Sequence, residues 1–346
     1  MRGKRILIFD VNWLGDIVLS TPVIRAVREN YRDSYIAAIV PIHYREALDG
    51  CPYLDEVIGF NEHTSHRGLL KKAGFALALK KKKFDTVFLI HRSLTRALIC
   101  YLAGIRERVG YYNKKRGWLL TKRVAPLPKN KVHRADYYLG IIEGAGLTVT
   151  RRDTEFFIDD SQRLSLSDKL KRAGLKERDR FAVLHPGANE PIRRWPIENF
   201  AELAIRIKEE FGLNVVISGS LKDAPLGSKI KELARKEAID LCGNISLKEL
   251  AALFEKAEFV VSGDTGPMHI ASSVGASVIA LFGTASPAIT APRGKGRYRI
   301  VQKDVGCVIP CRKLDCPDNR CMKAITVNDV MNEATDIVTQ NSKLKA

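Results

Sequence analysis

The sequence predicts an α/β protein of two doubly wound, mostly parallel halves, and three observations carry that prediction. Short apolar runs alternate with helical stretches in the first half, and the same rhythm restarts near Phe181. At 346 residues the chain exceeds the size at which one core usually suffices, so two domains are expected. Polar, glycine-bearing turns follow several of the strand-like runs, and open sheets of this kind bind ligands beyond the carboxyl ends of their strands.

Arg5-Ile6-Leu7-Ile8-Phe9 reads as a short central strand, and a helical pattern runs from Asp16 to Asn30 after Gly15. Tyr35 to Val40, Glu56 to Phe60 and Thr86 to Ile90 are three more apolar runs. In the second half Phe181 to Leu184 is a strand, Ile197 to Phe211 a helix, and Asn214 to Ile217 a strand that ends at Ser218-Gly219-Ser220. Phe259 to Val261 and Ser277 to Leu281 are two further strands, with a helix from Met268 to Val274 between them. Asp159 to Leu175, polar and helical in character, joins the halves. The expected domains are residues 1–165 and 176–325, followed by a C-terminal helix over 326–346 for which packing back on the first domain is open.

Lys and Arg number 57 against 39 Asp and Glu, a formal charge of +18, so an acidic partner is expected. Nucleic acid, an anionic membrane surface or a phosphorylated substrate would all exploit that charge. No zinc-finger spacing, RNA-binding aromatic signature or basic zipper accompanies it, which argues against nucleic acid. No secretory signal or apolar run of membrane-spanning length is visible, so a cytoplasmic protein is expected, with contact to the inner face of the membrane open. Lys80 to Lys83 is most simply a solvated helix end complementing the dipole; attraction to membrane or substrate is its sharper reading.

The turns carry the chemistry. In FVVSGDTGPMHIASSVG, from Phe259 to Gly275, Gly263 allows the turn, Asp264 or Thr265 can cap a helix, and Pro267 needs no donor in a first turn. Backbone N–H groups and the positive dipole end there suit a phosphate, with His269 one turn inward. An ordinary capped helix is the plain alternative. Asp16 follows the first strand, as a helix-first-turn acid or as a general base toward a hydroxyl. After Phe181 to Leu184 comes His185-Pro186-Gly187-Ala188-Asn189 and then Arg193-Arg194-Trp195-Pro196, in which Arg193 or Arg194 could grip a diphosphate. A loop stapled by Trp195 is the alternative there. Asp223, at another strand end, could hold ribose hydroxyls or cap a helix.

Together these segments resemble the ADP-heptose:lipopolysaccharide heptosyltransferases, glycosyltransferase family 9. The likeness is carried by RILIFDVNWLGDIVLSTPVIRAVR, HPGANEPIRRWPIENFAELA, VVISGSLKDAPLG and VVSGDTGPMHIASSVGASVIALFGTASP, in that order. It implies the GT-B architecture, two Rossmann-like domains facing a central cleft that closes over its substrates. It implies an inverting transferase that moves heptose from ADP-heptose to the anionic lipid A core of lipopolysaccharide. Asp16 matches the family's proposed general base. Arg193 stands where the family usually has a Lys on the diphosphate, Asp223 where it has an acid for the ribose, and Asp264, Thr265, Gly266 and His269 match its DTG-x-x-H signature. No catalytic cofactor or divalent metal is implied. Arg67, Arg92, Arg96, Lys131, His133 and Arg134 lie in first-domain segments that could face the acceptor, each with the alternative of a solvated surface charge. Gly117-Trp118-Leu119-Leu120-Thr121 resembles the branch adding the second heptose more than the one adding the first. Transfer to the Kdo-lipid A acceptor, or a non-catalytic nucleotide-sugar or anionic-lipid binding protein, are the alternatives.

Cys307, Cys311, Cys316 and Cys321 lie close together, and free thiols, a structural metal and disulfides all stay open for them. Cys51, Cys100 and Cys242 stand in apolar surroundings and are expected in the core.

Overall fold

The computed structural model describes residues 3–345 apart from 63, 312 and 314, so the outermost residues of the expected domain ranges, 1, 2 and 346, lie outside it. Two compact units divide at Phe157 and Ile158. The first contains β1 (Arg5–Phe9), α1 (Leu14–Asn30), β2 (Tyr35–Pro41), β3 (Glu56–Phe60), α2 (Leu69–Lys81), β4 (Thr86–Leu89), α3 (Leu94–Leu102), β5 (Glu107–Tyr111), β6 (Lys122–Val124) and α4 (Arg134–Gly144). The second contains α5 (Asp160–Arg172), β7 (Phe181–His185), α6 (Ile197–Phe211), β8 (Asn214–Ile217), α7 (Ala224–Leu233), β9 (Ala238–Asp240), α8 (Leu247–Lys256), β10 (Val260–Gly263), α9 (Gly266–Ser273), β11 (Val278–Phe282), α10 (Pro287–Thr290), β12 (Tyr298–Gln302), α11 (Arg320–Lys323) and α12 (Val327–Lys345).

Each unit holds one six-stranded sheet, ordered β3-β2-β1-β4-β5-β6 in the first and β12-β11-β10-β7-β8-β9 in the second. Every neighbouring pair is parallel, so both sheets have the 3-2-1-4-5-6 order of a Rossmann-like fold. The chain reverses its winding between β1 and β4 and again between β7 and β10. There the crossover helices leave on opposite faces, which opens a crevice at the strand ends.

The central strands are apolar throughout because both faces are covered: Ile6, Leu7 and Ile8 are fully buried, as are Val260 and Val261. Helix α6 turns Phe200, Ala201, Leu203, Ala204 and Ile207 inward at helical spacing and stops at Gly212, whose φ of 65° is left-handed. Cys51, Cys100 and Cys242 are all buried.

The strands β5, β6, β9 and β12 had no counterpart in the apolar pattern, and three of them, β6, β9 and β12, are sheet edges. Lys122-Arg123-Val124 and Ala238-Ile239-Asp240 are too short and too polar to stand out, since an edge strand has one neighbour and covers less apolar surface. The units also part earlier than the expected 1–165. Helix α5 belongs with the second unit because Leu166 and Leu170 are buried and its polar side bonds α8: Lys169 Nζ lies 2.7 Å from Glu249 Oε2, and Arg163 Nε 2.8 Å from Glu255 Oε2. Helix α12 packs within the second unit, where Val330, Met331, Ala334 and Ile337 join the core beside Trp195 and Phe200. Its buried stripe faces α6 and the β11–β12 edge.

Candidate functional site

In the first unit the crevice at β1 and β4 is organised by buried charges. Asp10, just past β1, is fully buried; its carboxylate accepts the Val11 N–H at 2.8 Å and the Ser20 hydroxyl at 2.9 Å. Burial pushes the Asp10 carboxyl up to about 7, opposed by those hydrogen bonds and by Arg96 and reinforced by Asp16. Arg96, expected to face an acceptor, is buried instead. Its guanidinium donates to the Asp10 carbonyl and to Asn12 Oδ1 and lies over the Phe9 ring, so it clamps the β1–α1 turn. One helix turn from its Ser93 cap is the reason: α3 faces the sheet with Arg96, Ala97, Ile99 and Cys100.

Asp16 sits in the first turn of α1, half-buried, and its Oδ1 accepts the Tyr138 hydroxyl at 2.8 Å. Tyr138 comes from α4, which packs on α1; burial and the neighbouring Asp16 raise its phenol well above the ordinary value, so it remains a donor. Cations gather around the same carboxylate. Lys129 is drawn down by burial and by Arg134 and Arg92, with Asp16 opposing. Arg92 is exposed just beyond β4, and one terminal nitrogen of Arg134 is buried without a hydrogen-bond partner. His91 is held near 4 by burial and by the charges of Arg96, Lys129 and Arg116, and is neutral at physiological pH. Fully buried Arg116 fixes that strand end by donating to the His91 carbonyl at 2.8 Å.

Of the other expected acceptor residues, Arg67 is exposed in the loop after β3 and Lys131 is exposed before α4. His133 is the N-cap of α4, its Nδ1 accepting the Ala135 N–H at 3.2 Å. Asp10, Tyr138 and Lys129 were missed by the sequence reading; only the basic tract before α4 hinted at Lys129.

The second unit builds its set at β7 and β10. Gly187, after β7, lies so close to Asp223 that a Cβ there would stand 2.6 Å from its Oδ2. Asp223 is buried and accepts the Ser220 N–H at 3.0 Å and the Ser220 hydroxyl at 2.6 Å, closing the turn after β8. This is the capping alternative of the sequence reading, made at the strand end where a ribose acid was expected. Arg193 Nη1 lies 3.3 Å from both the carbonyl and Oδ2 of Asp264. Gly263 eases their approach, since a Cβ there would be 3.0 Å from the Arg193 carbonyl oxygen, tighter than an ordinary contact. Arg194 turns away to the Ala188 carbonyl, while Trp195 is buried and donates to the Ile325 carbonyl at 2.9 Å.

Thr265 is the N-cap of α9 in extended conformation, without a side-chain capping bond; its Oγ1 lies 3.2 Å from Ser262 Oγ. Gly266 opens the helix, and the first-turn N–H groups have no partner within it, which suits an anion. His269 is buried on that helix. The arrangement therefore offers one guanidinium, one carboxylate and a helix N-terminus at a switch point.

His185, at the end of β7, is buried, with Nδ1 3.0 Å from Ser218 Oγ, and burial pushes it down to about 4, with Asp223 opposing. Its unfolded value is near 6.5, so its contribution to stability is present above pH 6.5 and is lost as pH falls toward 4. The expected result is a loss of up to about 1.4 kcal/mol per pH unit in that window. Urea unfolding of the native chain and of His185→Asn across those pH values checks it: the acid slope flattens in the variant, and parallel slopes would refute it.

Cys307 is exposed, Cys311 and Cys316 are partly buried, and Cys321 is buried in α11; all four are free thiols. Among the described residues no group of three or more His, Cys, Asp or Glu side chains is placed to hold a metal, so the structural metal left open for them gains no support. Cys321 packs against the strand end at Gly283 instead.

The sequence model described as glycosyltransferase family 9 (heptosyltransferase) matches residues 73–320. Lipopolysaccharide heptosyltransferase 2 of Escherichia coli strain K12 is 25% identical over 306 residues, covering 83% of this chain and 85% of the relative. The crystal structure of a family 9 glycosyl transferase from Veillonella parvula superposes with a TM-score of 0.85 at 21% identity, covering 98% of this chain and 99% of that one. That of the E. coli ADP-heptose lps heptosyltransferase II gives 0.80 at 22%, with the same coverage.

Proposed function

The chain belongs to glycosyltransferase family 9, the heptosyltransferases, and from that premise we propose that it transfers heptose from ADP-heptose to a heptose of the lipopolysaccharide inner core, with inversion. The observation that carries this reading is the set at β10: Arg193 against Asp264, beside the open N-terminus of α9. A nucleoside diphosphate sugar needs a cation and amide donors for the diphosphate and an acceptor for sugar hydroxyls, and that set supplies all three.

The acceptor hydroxyl loses its proton to Asp16 as its oxygen attacks the anomeric carbon, and the bond from that carbon to the diphosphate oxygen breaks. Tyr138 holds the Asp16 carboxylate in place. Lys129, Arg92 and Arg134 favour an acceptor carrying negative charge, and lipid A core is such a molecule. Charge on the departing ADP is met by Arg193 and α9, so divalent metal is not required. Asp223 and His269 complete the donor site in this reading, and the chain works at the inner face of the cytoplasmic membrane.

A coupled assay for ADP release tests the proposal, with ADP-heptose and either heptosylated or unheptosylated lipid A core. Release with the heptosylated core, persisting in chelator, is expected. Release only with the unheptosylated core would move the activity to the first heptose, and binding of donor without any release would make the chain a binding protein.

A further inference from the structure

A surface helix normally turns its apolar stripe inward. Helix α2 packs Phe75, Ala76 and Leu79 on the core but carries a second apolar set that faces outward. Of its residues only Ala76 and Leu79 are buried, while Leu70 is 89% and Leu77 60% exposed on the opposite side, with Ala73 between them. Helix α3, packed beside it, repeats the pattern: Leu98, Tyr101 and Leu102 stand in solvent while Ala97, Ile99 and Cys100 face the sheet. Trp118, 64% exposed, packs edge-on with Tyr101, their ring centroids 6.4 Å apart, and extends the same apolar surface.

Lysines flank this surface. Lys71, Lys80, Lys81 and Lys83 are exposed, and from 64 to 106 the sequence holds a single acid, Asp85, whose carboxylate accepts the Arg5 N–H. Apolar side chains standing outward between lysines match the boundary of an anionic bilayer, where leucine and tryptophan enter the headgroup layer and ammonium groups stay at the phosphates. A contact with another protein would deplete lysine at such a place. Among the described residues no helix is long and apolar enough to cross a membrane, so the contact is one of surface.

We propose that the α2–α3 face docks the first unit on an anionic phospholipid surface. The inference rests on the functional reading only in that a lipid-borne acceptor gives docking a purpose; none of its residues belongs to the Asp16 set. The full-length chain is floated with vesicles of phosphatidylglycerol and phosphatidylethanolamine, and with vesicles of phosphatidylcholine alone. Binding to the first and not the second, weakening as salt is raised, is expected. The double variant Leu70→Asp, Leu77→Asp lowers vesicle affinity about tenfold or more, with thermal unfolding unchanged. Its ADP release with a delipidated acceptor oligosaccharide also stays unchanged. Absence of binding by the parent chain, or equal binding by the variant, overturns docking. So does a concentration-dependent dimer that the variant abolishes, which would assign the face to a second copy. Failure of ADP release in both proteins counts against the functional reading alone, and the vesicle result still decides docking.

Discussion

Asp16→Asn lowers turnover by about 10²–10⁴-fold while ADP-heptose binding survives. Asn has the shape of Asp and keeps an oxygen that can accept the Tyr138 hydroxyl, now made at 2.8 Å, so the first turn of α1 keeps its geometry. It has no capacity to take a proton, and the acceptor hydroxyl must then attack without a base. In the proposed reading the donor is bound by residues of the second unit, so the loss falls on kcat. Losing one acid from a helix N-terminus removes only about 0.3–1 kcal/mol, so unfolding shifts little. Steady-state ADP release and equilibrium titration with ADP-heptose separate the two effects. A variant with near-full rate removes Asp16 from the chemistry.

Arg193→Ala lowers kcat/KM by about 10²–10³-fold, and unlike Asp16→Asn it also weakens ADP binding. Arg193 Nη1 is shared between the carbonyl and carboxylate of Asp264, 3.3 Å from each. Truncation takes away the cation proposed for the diphosphate, which also neutralises Asp264, a carboxylate only 8% exposed, so repulsion of the donor grows. Arg193→Lys keeps the charge, loses the planar fork, and retains an intermediate rate. The same assay and titration decide the matter: unchanged kcat/KM and ADP affinity in Arg193→Ala would exclude the guanidinium from the donor site.

Much of this site was legible along the chain because its parts lie within short turns. Gly263, Asp264, Thr265 and Gly266 are consecutive, and a strand running into a glycine turn and a Pro-bearing helix start leaves few other conformations. The pairing of Arg193 with Asp264 crosses from β7 to β10, yet both follow strands that the apolar pattern had located, and in a doubly wound sheet such ends lie on one edge. Where the reading erred, the residue type was compatible with two fates. Arg96 is as basic as Arg92, but its place three residues after the cap of α3 aims it under the β1–α1 turn rather than at solvent. The leucines of α2 show the same ambiguity in the opposite sense: Leu69, Leu70 and Leu77 stand outside while Leu79 is buried.

Hydrophobic period and turn chemistry are local properties, and they sufficed for two parallel α/β halves, for the strands at their centres and for the polar turns that follow them. Residues distant in the chain acquire partners only when helices dock. Tyr138 reaches Asp16 because α4 lies on α1, and Lys129 joins them because the segment before α4 is carried there too. Burial then sets the protonation of Asp10, His91 and His185, and burial belongs to the packed molecule, being the removal of water from a group by neighbours that no short stretch of sequence specifies.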